Sequence, residues 1–578
     1  MISDALNIAA SGLTAQQQAI DVVSQNVSNV NTPGYSRQSP ELTSVAPNIL
    51  NGLAFGNGVT LASIQRAANP ILNQAIANND SQVAYWQSLQ QGLSGLNATF
   101  GTINGTTLNS SLDNFFNAFQ TLANNPQSTA SQQSVVTNAE SLTTQISGMS
   151  QQMVNQQSSN LQQIPTILDS VNTLLDKIAS LNASIGSQSG NGVSMPNDLL
   201  DQRDAAINQL SKLIPFQQVN VGSTTGTGLM LETPGGDMLV SGPTAKHLAL
   251  GPGSSASSIN IIYQDTGASV SGLDQGGQLG GLVAQNVKIS GYLQQLNSLA
   301  ANLAFSVNQL QASGTGTSAA SSYTSGQAAA DPAGATAAVN ADTNVPLASQ
   351  IVTGSFKIYA LDASGNPVNT GGTAINVTAG TTTLANIASQ INAAGVSGLS
   401  ASINNGKLSI SGGSNRVVFG NDTSNFLAAY EVNGFFHGSS AADLAVDPAI
   451  QADPGRVATT VIDPTTSTVP AGGNSIAQAV FSLSQQAVSI DGSTAASFSA
   501  RASKLASGFG QDASAAQQQL GTQQAVGTSL SNQWQSISGV NLDQELTSML
   551  KFQHAYQASA KVITTSDAML NSLMGIIQ

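Results

Sequence analysis

The chain has 578 residues, 40% of them apolar, and a formal net charge of −14 from 15 Lys and Arg against 29 Asp and Glu. At roughly 150 residues per domain this length predicts about four folded domains, with too little charge per residue to keep the chain unfolded by self-repulsion. The excess of anions leaves no basic field for nucleic acid, and the absence of cysteine excludes disulfides, thiolate nucleophiles and cysteine-ligated metals.

Near the N-terminus Leu6, Leu13, Ile20 and Val27 repeat every seven residues, with Ala9, Gln16, Val23 and Val30 as a second row. This predicts one helix of about 30 residues that seeks a helical partner. Thr32-Pro-Gly-Tyr35 supplies the proline and glycine of a type II turn, which stops it. Apolar stripes then predict helices around Leu72 to Leu96, Leu112 to Leu122, Val135 to Met153 and Ile164 to Ile185, with Pro165 marking a kink or break. Residues 60–215 therefore look like a helical bundle. The densest charge cluster, Asn197 to Asp204, suits the capped, positive end of a helix.

From Gln217 to about Gly280 short alternating runs at 228–232, 237–240 and 259–263, punctuated by Gly and Pro, predict a small β domain. Helix resumes through Leu293 to Leu310 and ends in a Gly/Ser/Thr/Ala tract, Ser313 to Ala338, that reads as a linker. Beyond it, residues 356–359, 374–378, 384–391, 399–403 and 407–410 read strand, strand, helix, strand, strand, with Asn404-Asn-Gly406 as a hairpin turn. Helix dominates from Ser475 onward, and Leu542, Met549, Tyr556, Ile563 and Leu570 again recur every seven residues.

The predicted class is α+β multidomain, with terminal heptad helices and a long helical bundle frame carrying inserted β-rich and α+β domains. Its parts are an axial pair (1–35 with 541–578), a helical frame (36–215, 282–312 and 475–540), a β-rich inserted domain (216–281 with 422–474), a linker (313–344) and an outer α+β insert (345–421).

Signals for catalysis are poor. His247, His437 and His554 are far apart, and no zinc-protease, nucleophile-elbow, phosphate-loop or dinucleotide motif occurs. No catalytic residue, cofactor site or metal ligand set is expected, and the protein reads as a non-enzyme. The first cation is Arg37, so a positively charged secretory leader is missing and any export relies on an uncleaved signal. No apolar run reaches the roughly 18 to 20 residues that span a bilayer.

The string from Ser24 through Asn31, Pro33, Gly34, Tyr35 and Arg37 to Gln38 resembles the N-terminal signature of the bacterial flagellar axial proteins. The string from Gly539 through Phe552-Gln-His-Ala-Tyr556 to Leu570 resembles their C-terminal signature. Tyr35-Ser-Arg-Gln38, the cluster holding Asp201, Arg203 and Asp204, residues 276–282, and Phe435-Phe-His-Gly through Val446 resemble the hook-associated members that form the hook-filament junction. The resemblance implies a self-assembling ring subunit of the flagellum, exported by the flagellar type III system and located outside the cell. It implies four partners: its own copies, the hook protein, a second junction protein, and a cytoplasmic export chaperone at the C-terminal helix. Neither nucleic acid nor membrane insertion is implied. The rival reading is a secreted surface adhesin whose β-rich inserts bind ligands.

Overall fold

The computed structural model describes residues 2–50, 53–101, 107–189, 196–220, 229–489 and 494–577. Helix α1 (Ile2–Ser28) leads into strands β1 (Gln38–Ser44), β2 (Asn48–Leu50), β3 (Leu53–Phe55) and β4 (Val59–Arg66). β1 pairs with β4 and β2 with β3, so a short hairpin is nested in a longer one. Helices α2 (Pro70–Gly101), α3 (Leu108–Asn124), α4 (Thr129–Ser189) and α5 (Asn197–Leu213) follow.

Strands β5 (Gln217–Asn220), β6 (Leu229–Glu232), β7 (Met238–Ser241) and β8 (Thr244–Ala245) make an antiparallel meander, beside the pair β9 (Leu248–Leu250) and β10 (Ile261–Tyr263). Helix α6 (Gly277–Ala312) precedes β11 (Ser322–Thr324), β12 (Gly354–Leu361), β13 (Thr373–Val377), α7 (Leu384–Ala393), β14 (Ser400–Asn404), β15 (Lys407–Ser411) and β16 (Arg416–Gly420). The chain closes with α8 (Phe426–Ala429), β17 (Phe436–His437), β18 (Ala445–Val446), α9 (Pro448–Ala452), α10 (Ser475–Leu483), α11 (Phe498–Ser538) and α12 (Leu542–Ile577). This is an α+β multidomain fold dominated by long helices.

The chain divides into two compact units, one formed by 1–91, 158–286 and 514–578 and the other by 92–157 and 287–513. In the first, the stripe Ile164, Leu168, Val171, Leu175 and Ile178 of α4 buries against Ile207 and Leu210 of α5 and Leu229, Leu231 and Val240 of the meander. Pro165 neither breaks nor ends α4. A helix-interior proline costs about 3 kcal/mol, and burial of the apolar neighbours Ile164 and Leu168 offsets that cost. At the start of α6, Gly277 has φ +68°, and a Cβ there would collide with the Leu213 carbonyl, so glycine is required.

The second unit has two cores. One gathers Phe115 and Phe119 of α3 with Phe435 and Phe436, whose ring centroids lie 5.6 to 5.9 Å from theirs in three of the contacts. The family-like string at 435–446 is thus anchored by two fully buried phenylalanines. The other core lies between the three-stranded sheets β11-β15-β14 and β13-β12-β16 and is closed by α7 and α8. Asn405 and Gly406 both take positive φ, 51° and 77°, as the expected two-residue hairpin turn requires.

Three expectations about domain layout are corrected. Residues 38–66 are hairpins rather than part of a helical frame, since Gly58 and its neighbours pack on α1, where Val59 N–H donates to Ser11 Oγ at 3.3 Å. The stretch 313–344 is not a linker: β11 joins a sheet, Ala329 and Val339 are buried in the core, and Val339 N–H donates to the Thr382 carbonyl at 2.8 Å. Small side chains there are a packing choice. Nor do 216–281 and 422–474 form one β-rich domain, because the former packs on α4 and α5 while the latter contributes to the two cores of the second unit. Gly228, expected to open a strand, lies outside the described residues.

Candidate functional site

Helices α1 and α12 pack antiparallel. A Cβ on Gly12 would sit 3.1 Å from Ser559 Oγ, while at the other end Asn26 meets Glu545. The buried stripe of α1 is Ala9, Gly12, Ala15, Ala19, Val22, Val23 and Asn26, small residues at three- and four-residue steps that let the backbones approach closely. The expected seam residues Leu6, Leu13, Ile20 and Val27 lie half-buried on its flank. On α12 Met549, Tyr556 and Ile563 are half-buried, whereas Leu542 and Leu570 are exposed, 44% and 36%. The heptad register therefore named the faces, but the close contact runs beside it through the small residues. The antiparallel register also carries the end of α12, from about Met569, past the start of α1, leaving Met569, Leu570, Leu573 and Met574 uncovered.

At the other end of the pair lies a polar clamp. Asn26 is fully buried and uses all four of its hydrogen-bonding positions. Its Oδ1 accepts from Tyr35 OH at 2.8 Å and Gln38 N–H at 2.9 Å, and its Nδ2 donates to the Gln38 carbonyl at 2.8 Å and to Glu545 Oε2 at 2.9 Å. One side chain thereby holds the end of α1, the start of β1 and the first turn of α12. Arg37 ties the same region through its backbone N–H to the Ser538 carbonyl, 2.8 Å, and through Nη1 to Gln544 Oε1, 3.3 Å.

The turn before it forms as expected: Tyr35 N–H donates to the Thr32 carbonyl at 3.2 Å and Gly34 has φ +81°. Asn31, Pro33 and Gly34 are exposed and shape the backbone only. Asn197 does not cap α5. Its Nδ2 instead donates to the Ile64 carbonyl at 2.9 Å and Gln38 Oε1 at 3.3 Å, and Pro196 occupies the cap position.

The acidic cluster grips the hairpin. Asp201 accepts from Ser36 N–H at 3.1 Å and from Arg66 Nη1 at 2.8 Å; Asp204 accepts from Arg66 Nη2 at 2.9 Å and from Asn73 Nδ2 at 3.2 Å. Arg203 is buried and donates to Asn182 Oδ1 at 3.1 Å, and Asn182 Nδ2 reaches the Gly242 carbonyl at 2.9 Å. Burial raises the Asp201 carboxyl above its ordinary value even though Ser36 and Arg66 pull it down. Burial also raises the Tyr35 phenol, with the charges of Asp198, Asp201 and Glu545 adding to it. Tyr35 is therefore a permanent donor to Asn26. Sequence reasoning holds Asn26 and Glu545 within the two signature strings without giving either a role, and it misses Arg66. Its available signals were an asparagine on an otherwise apolar helix stripe and a need for one cation opposite two aspartates in a chain with only 15.

These contacts hold elements in place and present no reacting group. Among the described residues no three His, Asp or Glu side chains are placed to hold a metal ion, and no helix is long and apolar enough to cross a membrane.

Residues 93–324 match the family model of the flagellar hook-associated protein FlgK helical domain, 6–35 that of the flagella basal body rod protein, 532–576 that of the flagellar basal body rod FlgEFG protein C-terminal region, and 355–414 the flagellin hook IN motif. The flagellar hook-associated protein 1 of Salmonella typhimurium strain LT2 is 27% identical over 589 residues, and that of Escherichia coli K12 is 28% identical over 582, each alignment covering 100% of both chains. The chain is thus similar over its full length to flagellar hook-associated proteins 1, and in its terminal segments to flagellar rod proteins. Among solved structures, the flagellar hook junction protein FlgK from Burkholderia pseudomallei is similar at 18% identity and a TM-score of 0.49, covering 80% of this chain and 100% of that one. In family terms, the rod-protein match over 6–35 takes in Asn26 and Tyr35 of the clamp, and the match over 532–576 takes in Ser538, Gln544 and Glu545.

Proposed function

We propose that the protein is a structural subunit of the junction between hook and filament, exported by the flagellar type III system without a cleaved signal peptide and assembled as a ring of its own copies outside the cell. In this reading the hook protein and a second hook-associated protein are its axial neighbours, and a cytoplasmic export chaperone covers the C-terminal helix beforehand.

The observation that carries this reading is the unfinished apolar surface of the terminal pair. Leu542, Leu546 and Leu550 form an exposed row on the first turns of α12, and Leu573 and Met574 lie bare at its end. Full burial of such a side chain contributes about 1.5 to 3 kcal/mol, so copies that cover one another's rows gain several-fold that amount. The clamp at Asn26 fixes the angle at which the row is presented.

The test replaces Leu546 and Leu550 with Asp in flagellated cells. Export and folding are expected to persist, with filaments shed and motility lost, because two charges would have to be desolvated in the contact. A second pair, Ile563→Asp with Leu570→Asp, is expected to give the same loss, with Ile563 also weakening the α1–α12 contact. Normal filament attachment by the Leu546/Leu550 variant would refute the role of this row.

A further inference from the structure

A cleft of about 280 Å³ within the second unit takes no part in the contacts described above. It opens between the turn after α3 at Pro126, the strand-like segment 315–319, the 362–366 turn, and the loop 468–473. Its wall is rich in threonines, Thr315, Thr317, Thr459, Thr460 and Thr468, and Val469, packed on the buried Leu361, gives it a small apolar patch. The one charged side chain lining it is Arg416, at the first position of β16.

Arg416 is exposed and makes no ion pair among the described residues. The nearby loop carboxylates are already engaged by their own backbones. Asp362 Oδ1 accepts from Ser364 N–H at 2.9 Å and Asn366 N–H at 2.8 Å, and Asp463 Oδ1 accepts from Thr465 N–H at 2.7 Å. Both aspartates are held below the ordinary carboxylate range by these bonds, so they stay ionised and turned into their turns.

A planar guanidinium matches a carboxylate bidentately, and the hydroxyls of Thr315 and Thr460, which donate to the Gly316 and Val461 carbonyls, keep lone pairs that can accept from the hydroxyls of a ligand. A small apolar patch suits the C–H face of a pyranose ring. The volume, at the low end for small-molecule pockets, holds a single sugar ring. We propose that this cleft is a binding site for a monosaccharide-sized sugar acid, with Arg416 on its carboxylate and the threonine wall on its hydroxyls. A bare inorganic anion would satisfy the arginine and leave the threonines and the Val469 surface unused.

The test titrates the full-length protein with sodium glucuronate, glucose and sodium sulfate, read by saturation-transfer NMR and by hydrogen exchange of residues 459–473. Glucuronate is expected to bind and slow exchange there, with glucose and sulfate each at least tenfold weaker. Arg416→Met is expected to reduce glucuronate affinity at least tenfold, and Thr468→Val to reduce it severalfold while leaving the unfolding midpoint in place. No glucuronate binding, equal binding of sulfate, or unchanged affinity in both variants would each overturn the proposal.

Discussion

The terminal helix pair and the core between the two three-stranded sheets solve opposite problems. In the sheet core Phe356, Phe419, Phe426 and Tyr430 are fully buried and the apolar residues facing inward all find partners within 305–432. In the terminal pair a 36-residue helix, α12, buries little beyond the flank facing α1 and leaves Leu542, Leu546, Leu550, Leu573 and Met574 bare. The sheet core is finished within the chain. The helix pair is held in register by a buried polar clamp, and its apolar surface is left for other molecules. Polar bonds are directional and apolar contacts are not, so a clamp can fix geometry while the leucine row remains free to be covered.

The largest expected effect comes from cutting into the finished core. Replacing 345–421 with a short Gly/Ser linker removes β12 to β16 and strips Ala329, Phe426, Leu427 and Tyr430 of most of their core, including the Phe356 ring stacked 5.5 Å from Phe426. At about 1.5 to 3 kcal/mol for each large side chain, that loss exceeds what the region can spare. Hydrogen exchange should show protection collapsing across 313–344 and 422–432. Retained protection there would mean the remaining segments form a core of their own, and the contrast with the helix pair would fail.

Next is the clamp. Asn26→Ala removes all four hydrogen bonds and strands Glu545, which is 5% exposed, without its amide donor. A loss of about 3 kcal/mol is expected, from buried polar groups left unpaired. Exchange protection should fall at 20–40 and 542–550 while the sheet core of the second unit keeps its own. A loss below about 1 kcal/mol, read by urea denaturation, would show that apolar contacts alone set the register.

Arg66→Met tests the layer behind it, where the lost guanidinium leaves two carboxylates close together. About 2 to 3 kcal/mol should disappear near pH 7. Burial holds Asp201 above its unfolded value of 3.8, so the folded state binds its proton more tightly and this residue's contribution to stability falls as pH rises through that range. Without Arg66 the carboxyl climbs further, so the cost of the substitution should be largest at neutral pH and shrink as pH falls toward 4. A cost independent of pH would assign Arg66 to packing alone.

Much of this organisation is legible in the sequence because helix periodicity and turn chemistry are local. The stripes of α3, α4 and α6, the Thr32 to Tyr35 turn and the Asn405-Gly406 hairpin are all written within a few residues. What is decided by partners distant in sequence is not legible. Arg66 meets Asp201 and Asp204, and Asn26 meets Glu545 across 519 residues. The tract 313–344 misleads for a related reason: its Ala, Gly and Thr residues resemble a linker in composition but fit under a sheet that lies later in the chain. The seam was displaced because a heptad search rewards large apolar residues, whereas the close contact belongs to Ala9, Ala15, Ala19 and Gly12.

The smallest expected effect sharpens the comparison by setting one buried carboxylate against another. Glu545 in the helix pair is satisfied by the neutral amide of Asn26, so the clamp bond carries no proton that could leave near neutrality. Glu431, 6% exposed at the edge of the sheet core, accepts from Gln327 Nε2 at 2.6 Å and Gly438 N–H at 3.1 Å and pairs with His437 Nδ1 at 2.6 Å. The bond to Glu431 raises the His437 imidazole above 6.5, with burial and Lys407 opposing and Asp447 assisting. A raised folded value means that the stabilisation is fully present below pH 6.5 and is lost as pH rises through the folded value. The His437 side chain is 46% exposed, so solvent screening holds the effect to about 0.5 kcal/mol. His437→Gln should therefore weaken the second unit slightly at pH 6 and leave it unchanged at pH 9, while protection around Asn26 and Glu545 stays level across the same range. Equal sensitivity of both regions to pH, measured by hydrogen exchange corrected for intrinsic rates, would remove the distinction between a neutral clamp and a charged one.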